Sequence, residues 1–308
     1  MARRKMKKQQ KIRIIPAIIG VGVVSIVFCI AGLLFWRQYN QQRIAHAQST
    51  YPVEDEKTEM KVIPPDVKKT LPSPGATATF RVPILMYHYI EYVQNKKDTI
   101  RQLLDITPDI FTQQIVTLKN AGYTFMTAKE LGEVIDGKMQ LPAKPVLLTF
   151  DDGHRDFYTD AFPILQKYYV KATSYVISGF LGGPDFMTKQ QVETIAKSNL
   201  IDVGAHTVHH MALGGKLADE VRYELTKSKS DIEKLTHKPV VSFAYPYGSF
   251  DAQAIQLVKK AGYTTAVSTV PGIAVSNQNR YFLYRIRPGN RVGADLLQWL
   301  NQTTFSAY

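Results

Sequence analysis

The stretch Pro145-Val146-Leu147-Leu148-Thr149-Phe150-Asp151-Asp152-Gly153 runs from an apolar segment straight into two adjacent carboxylates and a glycine. A short apolar run of this kind reads as a β-strand. In a parallel α/β sheet the carboxyl end of a strand is where catalytic groups collect. Two carboxylates side by side repel each other, so the position asks for a cation or a shared proton. A strand followed by an ordinary Asp-Gly turn would explain the same residues without any chemistry.

On both sides of this segment, short apolar strands alternate with helices. Val82–Tyr89, Lys171–Ile177, Leu200–Ala205, Val240–Tyr245, Thr264–Ser268 and Tyr284–Ile286 read as strands. Thr107-Pro108 opens a helix whose stripe is Phe111, Ile115 and Leu118 and which ends at Gly122. Thr127 and Glu130 have capping-box spacing for a helix to Ile135. Further helices are expected through Leu165 and over Thr188–Lys197, Leu217–Leu235, Ala252–Ala261 and Gly293–Leu300. This alternation predicts an α/β fold with a largely parallel sheet, and seven or so strands in residues 81–308 suit one barrel-like domain.

His206-Thr207-Val208-His209-His210 directly follows the apolar strand Leu200–Ala205 and holds three of the chain's seven histidines. If a helical turn starts there, His206 and His210 share a face and can grip one ion. A spacing of three works as well, so the choice of His210 over His209 is open. One Asp with two His makes a two-nitrogen, one-oxygen site with positions left for water and substrate, and the second Asp is then available as a base. Phe243-Ala244-Tyr245-Pro246-Tyr247-Gly248 ends another strand; its turn can expose a backbone N–H, such as that of Tyr247, to a developing oxyanion, or be no more than an aromatic-flanked turn. His88, closing Ile84-Leu85-Met86-Tyr87-His88, has the ring type to protonate a leaving group, although a lone histidine ending a strand is commonly structural. Tyr89, Tyr92, Phe180 and Phe186 are candidate sugar-facing aromatics, and Gly179–Phe186 a candidate substrate-side loop.

The net charge of +12 is concentrated: seven basic residues and no acid fall in positions 1–13. That is a topology signal and argues against a nucleic-acid partner. Residues 14–36 carry no charge and suffice for a transmembrane helix, with Trp36 as interfacial anchor. The basic side stays cytoplasmic, so the remainder is expected outside the membrane. A cleaved signal peptide ending at Ala45-His46-Ala47 is the rival reading, disfavoured by the length of the apolar run; either way the domain is exported. Residues 37–80, polar and holding Pro52, Pro64, Pro65, Pro72 and Pro74, read as an extracytoplasmic stem. The one cysteine, Cys29, lies in the apolar segment, so the exported part is without disulfides of its own.

Residues 81–300 resemble the NodB-homology polysaccharide deacetylases of carbohydrate esterase family 4, through Thr149-Phe150-Asp151-Asp152-Gly153 together with His206-Thr207-Val208-His209-His210. The resemblance implies a distorted (β/α)7-type barrel with a divalent metal, most often zinc, although cobalt, nickel or iron also suit the donor set. It places Asp151 as catalytic base, Asp152, His206 and His210 as metal ligands, and the Tyr247 amide at the oxyanion. The Leu-x-His motif that usually supplies the acid is absent; Met86-Tyr87-His88 instead resembles the branch that includes poly-β-1,6-N-acetylglucosamine deacetylases, which carries His88 into the acid role. Many members have an arginine where this chain has Ala244; Arg285 or Arg287 is a candidate to support the base from another strand, and a cationic surface strand explains the same residues. The implied function is hydrolysis of N-acetyl groups on a polysaccharide such as poly-N-acetylglucosamine or peptidoglycan, by a monomeric catalytic domain. An O-acetyl esterase, an inactive glycan-binding module and a protein with a purely structural cation are the alternatives.

Overall fold

The structure, a computed structural model, describes residues 64, 66, 80–95 and 97–302. The expected tail (1–13), the expected anchor (14–36) and nearly all of the expected stem (37–80) lie outside the described residues. Among the described residues no helix is long and apolar enough to cross a membrane.

Pro83, with no N–H to give to a ladder, splits the expected first strand in two. The pieces are β1 (Arg81–Val82) and β2 (Ile84–Tyr87). There follow β3 (Thr124–Met126), β4 (Pro145–Phe150), β5 (Ala172–Val176), β6 (Ile201–Ala205), β7 (Ser242–Ala244), β8 (Thr265–Pro271), β9 (Ala274–Val275) and β10 (Leu283–Arg285). Seven of them run parallel in the order β10-β8-β7-β6-β5-β4-β2. A parallel bridge between Leu85 and Ile286 joins the two ends of that row. Hydrogen bonds from the Met86 amide to the Ile286 carbonyl and from the Ile286 amide to the Ile84 carbonyl (both 2.9 Å) hold it. The expected barrel is therefore present and nearly closed. It is irregular: β6 and β7 pair through Ala205 and Phe243 alone. β3, too short to be legible beforehand, pairs with the start of β4, and β1 pairs antiparallel with β9.

All six residues of β4 are buried, and the two faces of the strand explain why. Val146, Leu148 and Phe150 join the large core beneath the helices, while Leu147 joins a second cluster inside the barrel with Ile84, Tyr175, Ala244, Val267 and Leu283. The helices are α1 (Thr99–Leu104), α2 (Pro108–Asn120), α3 (Ala128–Ile135), α4 (Phe162–Tyr168), α5 (Lys189–Lys197), α6 (Ala218–Thr236), α7 (Ala252–Lys260) and α8 (Gly293–Leu300). In α2 Thr107 caps the Ile110 amide, and Phe111, Ile115 and Leu118 face the core as their spacing demands. Each such fully buried side chain contributes about 1.5–3 kcal/mol. Both halves of the Thr127/Glu130 capping box form on α3. α1 was not expected, and a π-helical turn over Phe157–Ala161 precedes α4. The strands thus deliver their carboxyl ends to one rim, and the candidate residues sit there.

Candidate active site

The chain leaves β4 through two successive left-handed residues, Asp152 (φ 71°) and Gly153 (φ 77°). A side chain at Gly153 would press on Val176, its Cβ meeting Val176 Cγ1 at 3.0 Å, so glycine is required both for the turn and for the close approach to β5. Asp152 is not a glycine, and holding it in this conformation costs about 1–3 kcal/mol, a strain typical of functional sites.

Asp151 continues the ladder, its amide donating to the Tyr87 carbonyl at 3.0 Å, and its carboxylate turns into the barrel. There Arg285, fully buried at the end of β10, grips it with both terminal nitrogens: Nη1 to Oδ1 at 2.7 Å and Nη2 to Oδ2 at 2.6 Å. The guanidinium is itself fixed, with Nε donating to the Ser268 carbonyl (2.8 Å) and Nη1 also to Thr149 Oγ1 (3.1 Å). Burial pushes the Asp151 carboxyl upward, but the charge and hydrogen bonds of Arg285 outweigh it and hold the group below the usual carboxylate range. Of the two arginines left open by the sequence, Arg285 is the one that reaches Asp151, the expected base.

His88 follows β2 on the strand beside β4, where Tyr87 pairs with Phe150, so His88 and Asp151 leave neighbouring strands at the same level. Burial, and then the charge of Arg287, drive the His88 imidazole down to about 3, so the ring is neutral near pH 7.

Asp152 Oδ1 lies 3.3 Å from His206 Nε2 and 3.2 Å from His210 Nε2, and those two nitrogens are 3.2 Å apart. His206 Nδ1 donates to the Ala244 carbonyl (2.7 Å), which leaves a lone pair on Nε2 of the neutral ring. Asp152 Oδ1 is buried and makes no hydrogen bond. Donor atoms therefore face one point from three sides, an arrangement that a cation relieves. Ligands about 2.0–2.1 Å from a tetrahedral zinc-sized ion stand about 3.3–3.4 Å apart, close to the observed triangle. These residues fit a metal, and they are the group of potential ligands that converges among the described residues.

The helical turn expected over 206–210 does not form. Thr207 (φ 64°) and His210 (φ 56°) are left-handed, and this double reversal folds His210 back onto His206. Glu224 of α6 secures the loop: Oε2 accepts from the Val208 and His209 amides (2.7 and 3.1 Å), and Oε1 pairs with His209 Nδ1 (2.7 Å). His209 is thereby turned away to α6. Tyr247, left-handed in the turn Pro246–Gly248, places its Oη 3.0 Å from His210 Nδ1, so this turn too borders the trio.

The expected sugar-facing aromatics divide. Tyr89 and Phe186 lie against the two faces of His154 at 4.1 and 5.0 Å, and Phe180 packs on Phe186 at 5.1 Å. Tyr92 is 52% exposed. Nothing in the sequence marks His154 beyond its place just past the Asp-Asp-Gly turn; its Nε2 is 3.1 Å from Asp152 Oδ2.

Residues 138–266 match the sequence profile of the family described as polysaccharide deacetylase. Over 207 residues the chain is 31% identical to YxkH of Bacillus subtilis, whose name places it among polysaccharide deacetylases; the match covers 67% of this chain and 71% of that one. The chain belongs to the polysaccharide deacetylase family. The Streptococcus pyogenes deacetylase PplD, solved in complex with acetate, superposes with a TM-score of 0.67 at 31% identity, covering 73% of this chain and all of PplD (100%). A poly-β-1,6-N-acetyl-D-glucosamine N-deacetylase of Staphylococcus aureus is 30% identical over 189 residues, 57% of this chain and 65% of that relative's length. The metal dependence of family deacetylases agrees with the donor set of Asp152, His206 and His210.

Proposed function

We propose that the chain is a metal-dependent hydrolase that removes N-acetyl groups from a polymer of N-acetylglucosamine outside the cytoplasmic membrane. The observation that carries this reading is the convergence of Asp152, His206 and His210 beside an Asp151 clamped by Arg285. The Staphylococcus aureus relative favours a β-1,6-linked polymer.

Held by Asp152, His206 and His210, a divalent ion would supply Lewis acidity to a water and to the acetyl carbonyl. Asp151, kept ionised by Arg285, takes the proton of that water as its oxygen bonds to the carbonyl carbon. The Tyr247 amide is our candidate for a donor to the oxyanion. His88 hands a proton to the nitrogen as the C–N bond breaks, leaving acetate and a free amine. The proton that Asp151 takes from the water balances the one delivered to the departing amine. Zinc is the ion we expect, with cobalt, nickel and iron admitted by two imidazoles and a carboxylate. Residues 14–36 would anchor the protein with its N-terminus cytoplasmic, and 37–80 would hold the catalytic domain off the lipid surface.

The test is amine release from β-1,6 and β-1,4 N-acetylglucosamine oligomers by the full chain in detergent, stripped of metal and then refilled with Zn²⁺ or Co²⁺. Release that depends on the metal is expected, with the β-1,6 series preferred. A folded, metal-loaded protein inert on both series would overturn the proposal.

A further inference from the structure

A metal ligand must be aimed, and Asp152 has little to aim it through its own backbone. It sits in a left-handed turn beyond the end of β4. The plane of its buried carboxylate is therefore set by what holds the second oxygen. That oxygen, Oδ2, has His154 Nε2 at 3.1 Å, and fixing it turns Oδ1 toward the two histidine nitrogens.

His154 is in turn held on its two ring faces and at Nε2. It is 6% exposed, and the rings of Tyr89 (4.1 Å, 26° between planes) and Phe186 (5.0 Å, 25°) stack on it. The stack extends outward, with the Arg101 guanidinium 4.6 Å over Tyr89. The backbone is stapled as well. His154 bridges Phe186, the Arg155 amide donates to the Asp185 carbonyl (2.8 Å), and the Met187 amide donates to the Gly153 carbonyl (3.0 Å). The segment Gly179–Phe186 thus serves as the outer wall of this stack.

The tautomer follows from the surroundings. His154 Nδ1 is buried with no hydrogen-bond partner, so the proton of the neutral ring belongs on Nε2, where the carboxylate accepts it. A phenylalanine would fill the slot between Tyr89 and Phe186 without burying two ring nitrogens, so packing alone does not account for an imidazole here.

We propose that His154 is a positioning residue for Asp152: its Nε2–H holds Oδ2 so that Oδ1 is presented to the ion, and the Tyr89–Phe186 stack fixes the plane of the imidazole. This inference rests on the metal-dependent reading above. Partners of this kind are typically worth about 10–100-fold in metal affinity.

The experiment compares the full wild-type chain with His154→Phe and His154→Gln, reading Zn²⁺ affinity by competition with a chromophoric chelator and thermal melting of the metal-free proteins. His154→Phe keeps a ring in the stack and deletes the donor; His154→Gln returns an N–H near the position of Nε2. The expected result is affinity about 10–100-fold weaker in His154→Phe, with metal-free melting lowered by no more than the loss of one buried hydrogen bond, and His154→Gln within a few-fold of wild type. Equal affinity in His154→Phe and wild type overturns the inference. So does equal weakness of both variants, or a loss that merely follows lowered melting. A wild-type chain that binds no Zn²⁺ instead sinks the metal reading itself, and this inference with it.

Discussion

At the rim of the barrel, Asp151 takes two hydrogen bonds from Arg285, His206 gives one to the Ala244 carbonyl, and Glu224 anchors the histidine loop through three. Deeper inside the same barrel, Tyr175 Oη, Thr265 Oγ1 and Asp202 Oδ2 are buried without a partner, and Ser242 faces both Tyr175 and Asp202 without closing a well-aligned hydrogen bond to either. The two regions share strands and differ in how tightly their polar groups are specified. Buried polar atoms are costly when unmatched, so the interior group is tolerated where small losses of stability are affordable or water can enter. The rim has no such latitude, because a displaced carboxylate there changes chemistry. Substitutions at the rim should therefore cost activity by orders of magnitude, and substitutions in the interior should change stability alone.

The largest effect is expected at Asp151. Asp151→Asn removes the proposed base and leaves the proposed metal ligands untouched, and kcat for amine release should fall by about 10²–10⁴-fold. Zn²⁺ content should match wild type. More than a tenth of the wild-type rate would show that the base lies elsewhere. Arg285→Met comes next. It leaves the Asp151 carboxylate buried without its cation, and loss of one member of a buried pair costs about 3–5 kcal/mol. Urea unfolding should register that loss, and activity should drop even where the protein remains folded. If stability falls and the rate per folded molecule does not, Arg285 belongs with the structural residues and the contrast between rim and interior weakens.

Glu224 offers a smaller and more selective test. Glu224→Ala strips the acceptor from the Val208 and His209 amides, at about 1–3 kcal/mol for each buried donor left unsatisfied. The loop that carries His206 and His210 should loosen, and Zn²⁺ affinity should drop by about tenfold. His209→Ala removes only the ring that Glu224 turns away, so its affinity should stay within twofold of wild type, by order of magnitude. The same chelator competition reads both variants. A His209→Ala protein as weak as His210→Ala would reverse the assignment of ligands.

What could be read beforehand follows the same division. The strands came from apolar runs buried on both faces, as in Pro145–Phe150, and helix starts from local signals such as Thr127 with Glu130. The convergence of Asp152, His206 and His210 was legible because they cluster in two short motifs. The choice between His209 and His210 was not, since it depends on left-handed backbone at Thr207 and His210 that spacing does not encode. Arg285 stood as one of two candidates because its partner is 134 residues away and only closure of the barrel between β10 and β2 brings them together. His154 is illegible along the chain for a related reason: its neighbours Tyr89 and Phe186 come from two other loops. β3 and α1, at three and six residues, are too short for periodicity to register.

The smallest effect is expected at Asp202, and it tests the interior half of the comparison. Burial raises this carboxyl to about 6 despite the charge of nearby Lys129. A carboxyl raised on folding is bound more tightly to its proton in the native state. Its contribution to stability is therefore full below about pH 4 and is lost as pH rises through about 6. Asp202→Asn keeps the shape without the charge, so it should be more stable than wild type by about 1–3 kcal/mol at pH 7.5 and indistinguishable from it near pH 4, by urea unfolding. Asp105 and Asp156 are also raised to about 6 by burial, so the difference between the two proteins, not the wild-type slope, isolates Asp202. Deacetylase activity should be unaltered, because the residue lies on the interior of β6 below the rim. A stabilised variant with reduced turnover would mean that the loosely satisfied interior sets the geometry of the site above it, and the two regions would then have to be treated as one.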